Sequence, residues 1–143
     1  MTTIAYRGGS EWPAFPAVRI QLSGVIRLQA VTTWGKIDTG ASRTIVPLHL
    51  LEQIGAYRHP RQVAGCRGYD GTIRVLPVYE VDLSIDDPRW PDEVETAFAS
   101  TVVVGVSCEG RASRDDTEVL LGRDVLAAWH LHLDGRNGHY TVT

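Results

Sequence analysis

The chain has 143 residues, of which 43% are hydrophobic and 22% charged, a composition typical of one globular domain with a buried core. A formal net charge of -3 excludes the strongly basic surface of proteins that bind nucleic acid or anionic membranes. No apolar run reaches the ~18 residues of a membrane-spanning helix, and residues 1–10 lack the apolar core of a signal peptide, so we expect a cytoplasmic protein.

Glycines and prolines interrupt residues 1–17, and this pattern predicts an irregular N-terminal arm. Trp12 and Phe15 lie within the arm and need burial, so we expect the arm to pack on its own domain or on a partner. Residues 18–143 are expected to form the single folded domain.

Alternating apolar and polar side chains predict two strands, joined by a glycine-containing turn, that lead into Asp38. The alternating apolar positions are Val18, Ile20, Leu22, Ile26, Leu28 and Ala30. Thr39 and Gly40 follow Asp38 directly. A carboxylate beside backbone amides and a hydroxyl, in a tight turn that glycine permits, is held as a catalytic acid needs to be, although an ordinary Asp-Thr-Gly turn has the same residues.

Residues 47–54 predict a short helix, because Pro47 suits a helix start and Gly55 is a natural C-terminal stop. His49 lies next to the apolar face of this helix and is expected to be structural or solvent-exposed.

Residues 62–75 predict a hairpin, because two strand-like flanks enclose a tip with three glycines. A long strand is predicted over residues 73–85 with an interruption near Pro77, and another over residues 97–106. A turn rich in proline and acid lies between them.

The last part of the chain is predicted to form a buried strand, a short helix and a hairpin after a polar loop over residues 107–117. Leu126 and Trp129 of the helix are expected to pack inward. These elements occupy residues 119–121, 124–129, 131–133 and 139–142, the last two flanking a turn over residues 134–138. The predicted class is all-β with one or two short helices.

Two motifs in this order resemble those of the retropepsins, the retroviral-type aspartic proteases and their bacterial relatives. They are Ile-Asp-Thr-Gly-Ala-Ser over residues 37–42 and Leu-Leu-Gly-Arg-Asp-Val-Leu over residues 120–126. The resemblance extends from about Val18 to Val142. It implies a retropepsin-like acid-protease fold, a single-lobe closed β-barrel-like domain, and an aspartic endopeptidase that needs no cofactor.

Aspartic proteolysis requires two neighbouring carboxylates, and this chain has one Asp-Thr-Gly. The economical source of the second is a symmetric homodimer, which brings the same residue of both subunits to one axis. The resemblance implies that Asp38 and its symmetry mate form the dyad. It also implies that Thr39 hydrogen-bonds across the axis and that Gly40 lets the substrate backbone run close to the site.

The resemblance gives Arg123 and Asp124 structural roles at the dimer and the active-site loop. Arg123 matches the arginine that braces this region in the family, and Asp124 is predicted to be a helix N-cap, not a second catalytic acid. Retroviral enzymes often carry an acid where this chain has Ser42, so Arg123 needs another partner, for which Asp124 and Asp70 are candidates.

The hairpin tip stands where retropepsins place the flap that closes over bound peptide, and glycines suit such a hinge. The tip is more polar here than in viral enzymes, because it carries Arg67, Tyr69 and Asp70. The flap residues implied to bind substrate are Gly65, Cys66, Arg67, Gly68 and Tyr69.

Three alternatives remain open. His130, His132, Asp134 and His139 could form a zinc site on one strand face and across a turn. Nucleophilic catalysis by Cys66 or Cys108 is the second, although neither has a recognisable Cys-His context; without metal-ligand spacing we expect free thiols, a disulfide between them being possible. The chain could also be a retropepsin-like dimerisation or peptide-binding module without turnover, because a fold does not determine a function.

Overall fold

The computed structural model describes residues 2–8, 14–26, 29–67, 70–107 and 119–143. Strands make up 57% of this structure and helices 8%, which confirms the all-β class. In these ranges the strands are β1 (Thr2–Ala5), β2 (Ala17–Gly24), β3 (Ala30–Ile37), β4 (Ile45–Pro47), β5 (Tyr57–Arg67), β6 (Ile73–Ile85), β7 (Ala97–Val106), β8 (Val119–Leu121), β9 (Leu131–Asp134) and β10 (His139–Val142), and the helices are α1 (Leu48–Gln53) and α2 (Arg123–Leu126).

The larger sheet closes on itself as a six-stranded barrel. Its strands follow the order β2-β3-β8-β4-β7-β6, and β6 pairs back onto β2, with Leu22 opposite Leu83. Strand β5 is attached to the outside of this ring through β6. The barrel interior holds side chains on alternate strand positions, and Val18, Ile20 and Leu22 of β2 are fully buried as predicted. The predicted closed barrel is therefore confirmed.

A small sheet of β1, β10 and β9 packs against the barrel, and it corrects the prediction of an irregular arm. Thr2–Ala5 is a strand, with Ile4 buried and paired with Tyr140 of β10. The hydroxyl of Tyr140 donates to the carbonyl oxygen of Ala17 at 2.8 Å, and burial raises the pKa of this phenol. Phe15 is buried as well, so the arm packs on its own domain, while Trp12 lies outside the described residues.

The second predicted strand begins later than the alternation suggested. Ile26 lies in a bend with 72% of its surface exposed, and β3 begins at Ala30. Leu28 lies outside the described residues. Strand β7 has the predicted bounds, and β8 is the predicted buried strand, with Val119 and Leu121 fully buried.

Both helices form near the predicted positions. Pro47 is the N-cap of α1, and Gly55 follows the helix with a φ of 62°, a left-handed conformation that glycine adopts without strain. Helix α2 begins one residue earlier than predicted and is shorter, and its N-cap is Gly122, so the prediction that Asp124 caps it is wrong. Leu126 and Trp129 are buried as expected.

Strand β6 runs without a break through Pro77, so the predicted interruption is wrong. The irregularity lies in the neighbouring β5, where the register shifts between Arg58 and Val63. Val63, the first residue paired after this shift, lies opposite Pro77. The β9–β10 hairpin forms as predicted, and no helix in the described part of the chain is long and apolar enough to cross a membrane.

Candidate active site

Asp38 stands at the point where β3 ends, and its backbone is held by the parallel neighbour β8. The Asp38 N–H donates to the carbonyl oxygen of Leu121 at 3.1 Å, continuing the β3–β8 ladder by one residue. The Ala41 N–H then donates to the Asp38 carbonyl oxygen at 3.2 Å and closes a turn. The acid therefore lies on a tight loop that starts from a barrel strand.

The Asp38 carboxylate is oriented by its own loop and is half-buried. The Gly40 N–H donates to Oδ1 at 3.0 Å, while Oδ2 accepts no hydrogen bond from any described residue. Thr39 is exposed, and its hydroxyl has no hydrogen-bond partner among the residues that the structure describes. One carboxylate oxygen and one hydroxyl are thus available to water, substrate or a second copy of the chain.

The Gly-Arg-Asp segment over residues 122–124 lies directly against this loop. The Arg123 N–H donates to the Ala41 carbonyl oxygen at 2.9 Å. Gly122 approaches the backbone of Arg43 so closely that a Cβ there would lie 2.4 Å from the Arg43 carbonyl carbon. Only glycine permits this approach.

Asp124, in the first turn of α2, anchors the end of the loop through hydrogen bonds to Thr44. Its Oδ2 accepts from the Thr44 N–H at 2.9 Å, and its Oδ1 accepts from the Thr44 hydroxyl at 2.8 Å and from the Val125 N–H at 2.9 Å. The fully buried Thr44 hydroxyl in turn accepts from the Gly122 N–H at 3.1 Å. Sequence analysis missed Thr44, because it looks like one more β-branched residue at the start of β4.

Neither suggested carboxylate partner of Arg123 is used. The Asp124 carboxylate is occupied by Thr44, and the Arg123 side chain is exposed without an ion pair in the described ranges. Asp70 instead accepts from the Thr72 N–H at 2.9 Å, a hydrogen bond that lowers the pKa of Asp70.

The predicted hairpin forms from β5 and β6 and adjoins the Asp38 loop. A cleft of about 530 Å³ lies between them. Gly65, Cys66 and Arg67 line it on the hairpin side, together with Gly40 and neighbouring loop residues on the other. Gly68 and Tyr69, which the resemblance also placed in the flap, lie outside the described residues.

The side chains of the predicted alternative zinc site do not lie close enough together to bind a metal. His139 Nε2 lies 3.7 Å from Asp134 Oδ2, but no group of three or more His, Cys, Asp or Glu side chains placed to hold a metal occurs among the described residues. Cys66 is a free thiol beside the cleft, and Cys108 lies outside the described residues.

Comparison of the chain with models of known protein families finds no match, and comparison with curated proteins finds none either. The function is therefore argued from the site itself.

Proposed function

We propose that the protein is a retropepsin-like aspartic endopeptidase that is active as a homodimer. The observation that carries this proposal is the joining of the two motifs: Arg123 and Leu121 hydrogen-bond the backbone of the Asp38 loop beside a cleft bordered by a hairpin. An acid that is oriented by one amide, yet open at its second oxygen, suits general acid–base chemistry.

The chemistry needs Asp38 from two copies of the chain. In the dyad one carboxylate is ionised and takes a proton from water, while the other is protonated and donates to the carbonyl oxygen of the scissile bond. The water oxygen bonds to the carbonyl carbon. The C–N bond breaks as one acid gives its proton to the leaving nitrogen and the other takes a proton from a hydroxyl of the tetrahedral carbon, which yields the carboxyl and amine products and restores the dyad. Thr39, exposed beside Asp38, is available to hydrogen-bond its symmetry mate and so hold the two loops together.

The hairpin would bind the substrate as an additional strand. Strand β5 is the edge of the seven-stranded sheet in the described structure, and its residues Gly65, Cys66 and Arg67 border the cleft. An extended peptide can pair with such an edge through main-chain hydrogen bonds. Gly40 on the opposite side leaves room for the peptide backbone.

We assign structural roles to Arg123 and Asp124. The Arg123 backbone and the Asp124 carboxylate fix the loop on either side of Ser42, at Ala41 and at Thr44. Neither residue donates or accepts a proton in the reaction. A rigid loop keeps the two carboxylates at a fixed distance and orientation, and small displacements of catalytic groups lower rates strongly.

The test of this proposal is the variant Asp38→Asn. It keeps the shape and the hydrogen bond from Gly40 but removes the titratable group from both halves of the dyad. We expect kcat/KM for peptide hydrolysis to fall by at least about 10³-fold, with the fold and the dimer intact. Peptide cleavage by mass spectrometry, together with sedimentation equilibrium, measures both quantities.

The matched control is Asp92→Asn, which removes an exposed acid that has no hydrogen bond or ion pair among the described residues. It should cleave as the wild type does. Because two acids in contact share one proton, the pH profile of kcat/KM should be bell-shaped with an acidic maximum and unaffected by chelators. Cleavage by Asp38→Asn at the wild-type rate, or a monomeric mass in the presence of bound peptide, contradicts the proposal. Peptide binding without cleavage would identify a binding module.

A further inference from the structure

The cleft beside Asp38 is basic in an acidic protein. The chain as a whole has 17 acidic and 14 basic residues. The described lining of the cleft nevertheless includes Arg43, Arg67 and Arg123 and no aspartate or glutamate, since Asp38 lies two residues before the lining residue Gly40. This local excess of positive charge attracts anionic groups into a partly enclosed space where solvent screens less than on a flat surface.

These three arginines form no ion pairs with carboxylates among the described residues, whereas two arginines elsewhere in the molecule do. Arg19 lies 3.6 Å from Asp86, and Arg89 lies 2.7 Å from Asp87. All three cleft arginines are exposed. Their charges are therefore not consumed by holding the described fold together, and they can pair with a ligand.

The three guanidinium groups come from both sides of the cleft. The backbones of Arg43 and Arg123 are fixed, since Arg43 precedes the anchored Thr44 and the Arg123 N–H is bonded to Ala41. Arg67 lies on the hairpin, paired with Ile73. A peptide lying in the cleft would meet positive charge from the Asp38 loop on one side and from the hairpin on the other.

Resting on the proposed function, we propose that this site selects peptides that carry aspartate or glutamate close to the scissile bond. Arginine recognises carboxylates with directed, often bidentate hydrogen bonds. The catalytic pair itself carries one negative charge when it shares a proton. The three arginines of each copy carry more positive charge than this, so the site remains attractive to a carboxylate. Peptides with lysine or arginine in the same positions would meet like charge and be rejected.

The experiment uses a peptide library of random sequence in two arms. In the first, immobilised Asp38→Asn protein captures peptides, and mass spectrometry reads the residues enriched. In the second, the wild-type protein cleaves the library and the residues flanking each cut are read. We expect aspartate and glutamate to be enriched about ten-fold over lysine and arginine at low salt, and this ratio to fall as salt is raised.

The arginine variants locate the effect. Arg43→Gln and Arg123→Gln should each lower the acidic enrichment about two- to five-fold, the size expected of a solvent-exposed ion pair. Arg67→Glu should shift the preference toward basic residues. Residue 67 is exposed on the hairpin, so this substitution leaves the contacts of the Asp38 loop unchanged. Arg136→Gln, in the exposed turn between β9 and β10, is the control and should change nothing.

The two arms separate this inference from the protease proposal. Cleavage without charge preference overturns charge selection and leaves the protease. Acidic capture without cleavage supports charge selection and overturns the protease. Capture that is equal for all charges, absent, or equally reduced by Arg136→Gln overturns charge selection. Dissociation of the dimer by Arg43→Gln or Arg123→Gln, with the acidic preference of Arg67→Glu unchanged, would show that the arginines serve the dimer interface and overturns it as well.

Discussion

The two sides of the cleft are built in opposite ways. The Asp38 loop is bonded to β8 and α2 at three points, from Asp38 to Leu121, from Ala41 to Arg123 and from Thr44 to Asp124. No described residue of the β5–β6 hairpin is hydrogen-bonded to β8 or α2, and Val63, Ile73 and Val75 are 61–68% exposed. The hairpin's inward-facing residues do pack, since Ala64 and Val78 cluster with Val104, and the partly buried Cys66 and Leu76 lie against them. This difference fits the proposal above, in which the acid stays fixed while the hairpin opens to admit a peptide.

The largest effect is expected at the point where the loop meets α2. In Gly122→Ala the new Cβ would lie 2.4 Å from a backbone carbon and 2.8 Å from the Thr44 nitrogen, and neither atom belongs to a side chain that could turn away. The backbone of the loop must move. We expect unfolding free energy to fall by about 3 kcal/mol and Tm by about 10 °C.

Thermal and urea denaturation of the two alanine variants Gly122→Ala and Gly135→Ala would measure this effect. Gly135 lies in an exposed turn, and a Cβ there has no atom within 4 Å, so Gly135→Ala is the matched control. Equal stability of the two variants would show that the loop is not tightly held, and the contrast with the hairpin would disappear.

A smaller loss is expected when the link between α2 and Thr44 is weakened. Asp124→Asn replaces one acceptor oxygen by an NH₂ group, so that either the Thr44 N–H or its hydroxyl loses its partner. Charge-assisted hydrogen bonds of this kind contribute about 1–2 kcal/mol at a partly exposed site. We expect the free energy of unfolding to fall by that amount in urea titration.

The same variant tests the role given to Asp124. On the proposal that Asp124 positions the loop and takes no part in proton transfer, kcat/KM should fall without a shift in the pH profile. The control Asp92→Asn should alter neither quantity. A shifted profile for Asp124→Asn would mean that this carboxylate is itself part of the reaction.

Most strands were predictable because their signal is local. Val18, Ile20 and Leu22 alternate with polar residues, and the β-branched run over residues 101–104 predicted β7 with its observed bounds. Strand β1 could not be predicted from the sequence, because four residues carry little periodicity and their pairing partner, β10, lies at the other end of the chain. Local composition predicted the irregular arm, and a distant partner overrode it.

The site was predictable in its parts and not in its connections. The motifs located Asp38 and Arg123, but nothing in the sequence indicates that Thr44 is buried between Gly122 and Asp124. Asp124 looked like an N-cap because aspartate favours that position, yet the cap is Gly122, which the close approach to Arg43 requires to be glycine. Packing between distant segments decided both points.

The smallest effect on stability is expected on the hairpin side. In Gly65→Ala the nearest atom to the new Cβ would be Cγ2 of Ile73 at 3.6 Å, an ordinary contact, and the glycine does not have a positive φ. The free energy of unfolding should therefore change by less than about 0.5 kcal/mol. Alanine nevertheless narrows the backbone freedom of β5 beside the cleft. If the hairpin opens and closes during turnover, kcat/KM should fall by several-fold at nearly unchanged stability, and hydrogen exchange of the hairpin amides should slow. A loss of stability as large as that of Gly122→Ala would mean that the hairpin is packed as firmly as the loop, and a mobile cover would then be the wrong description of it.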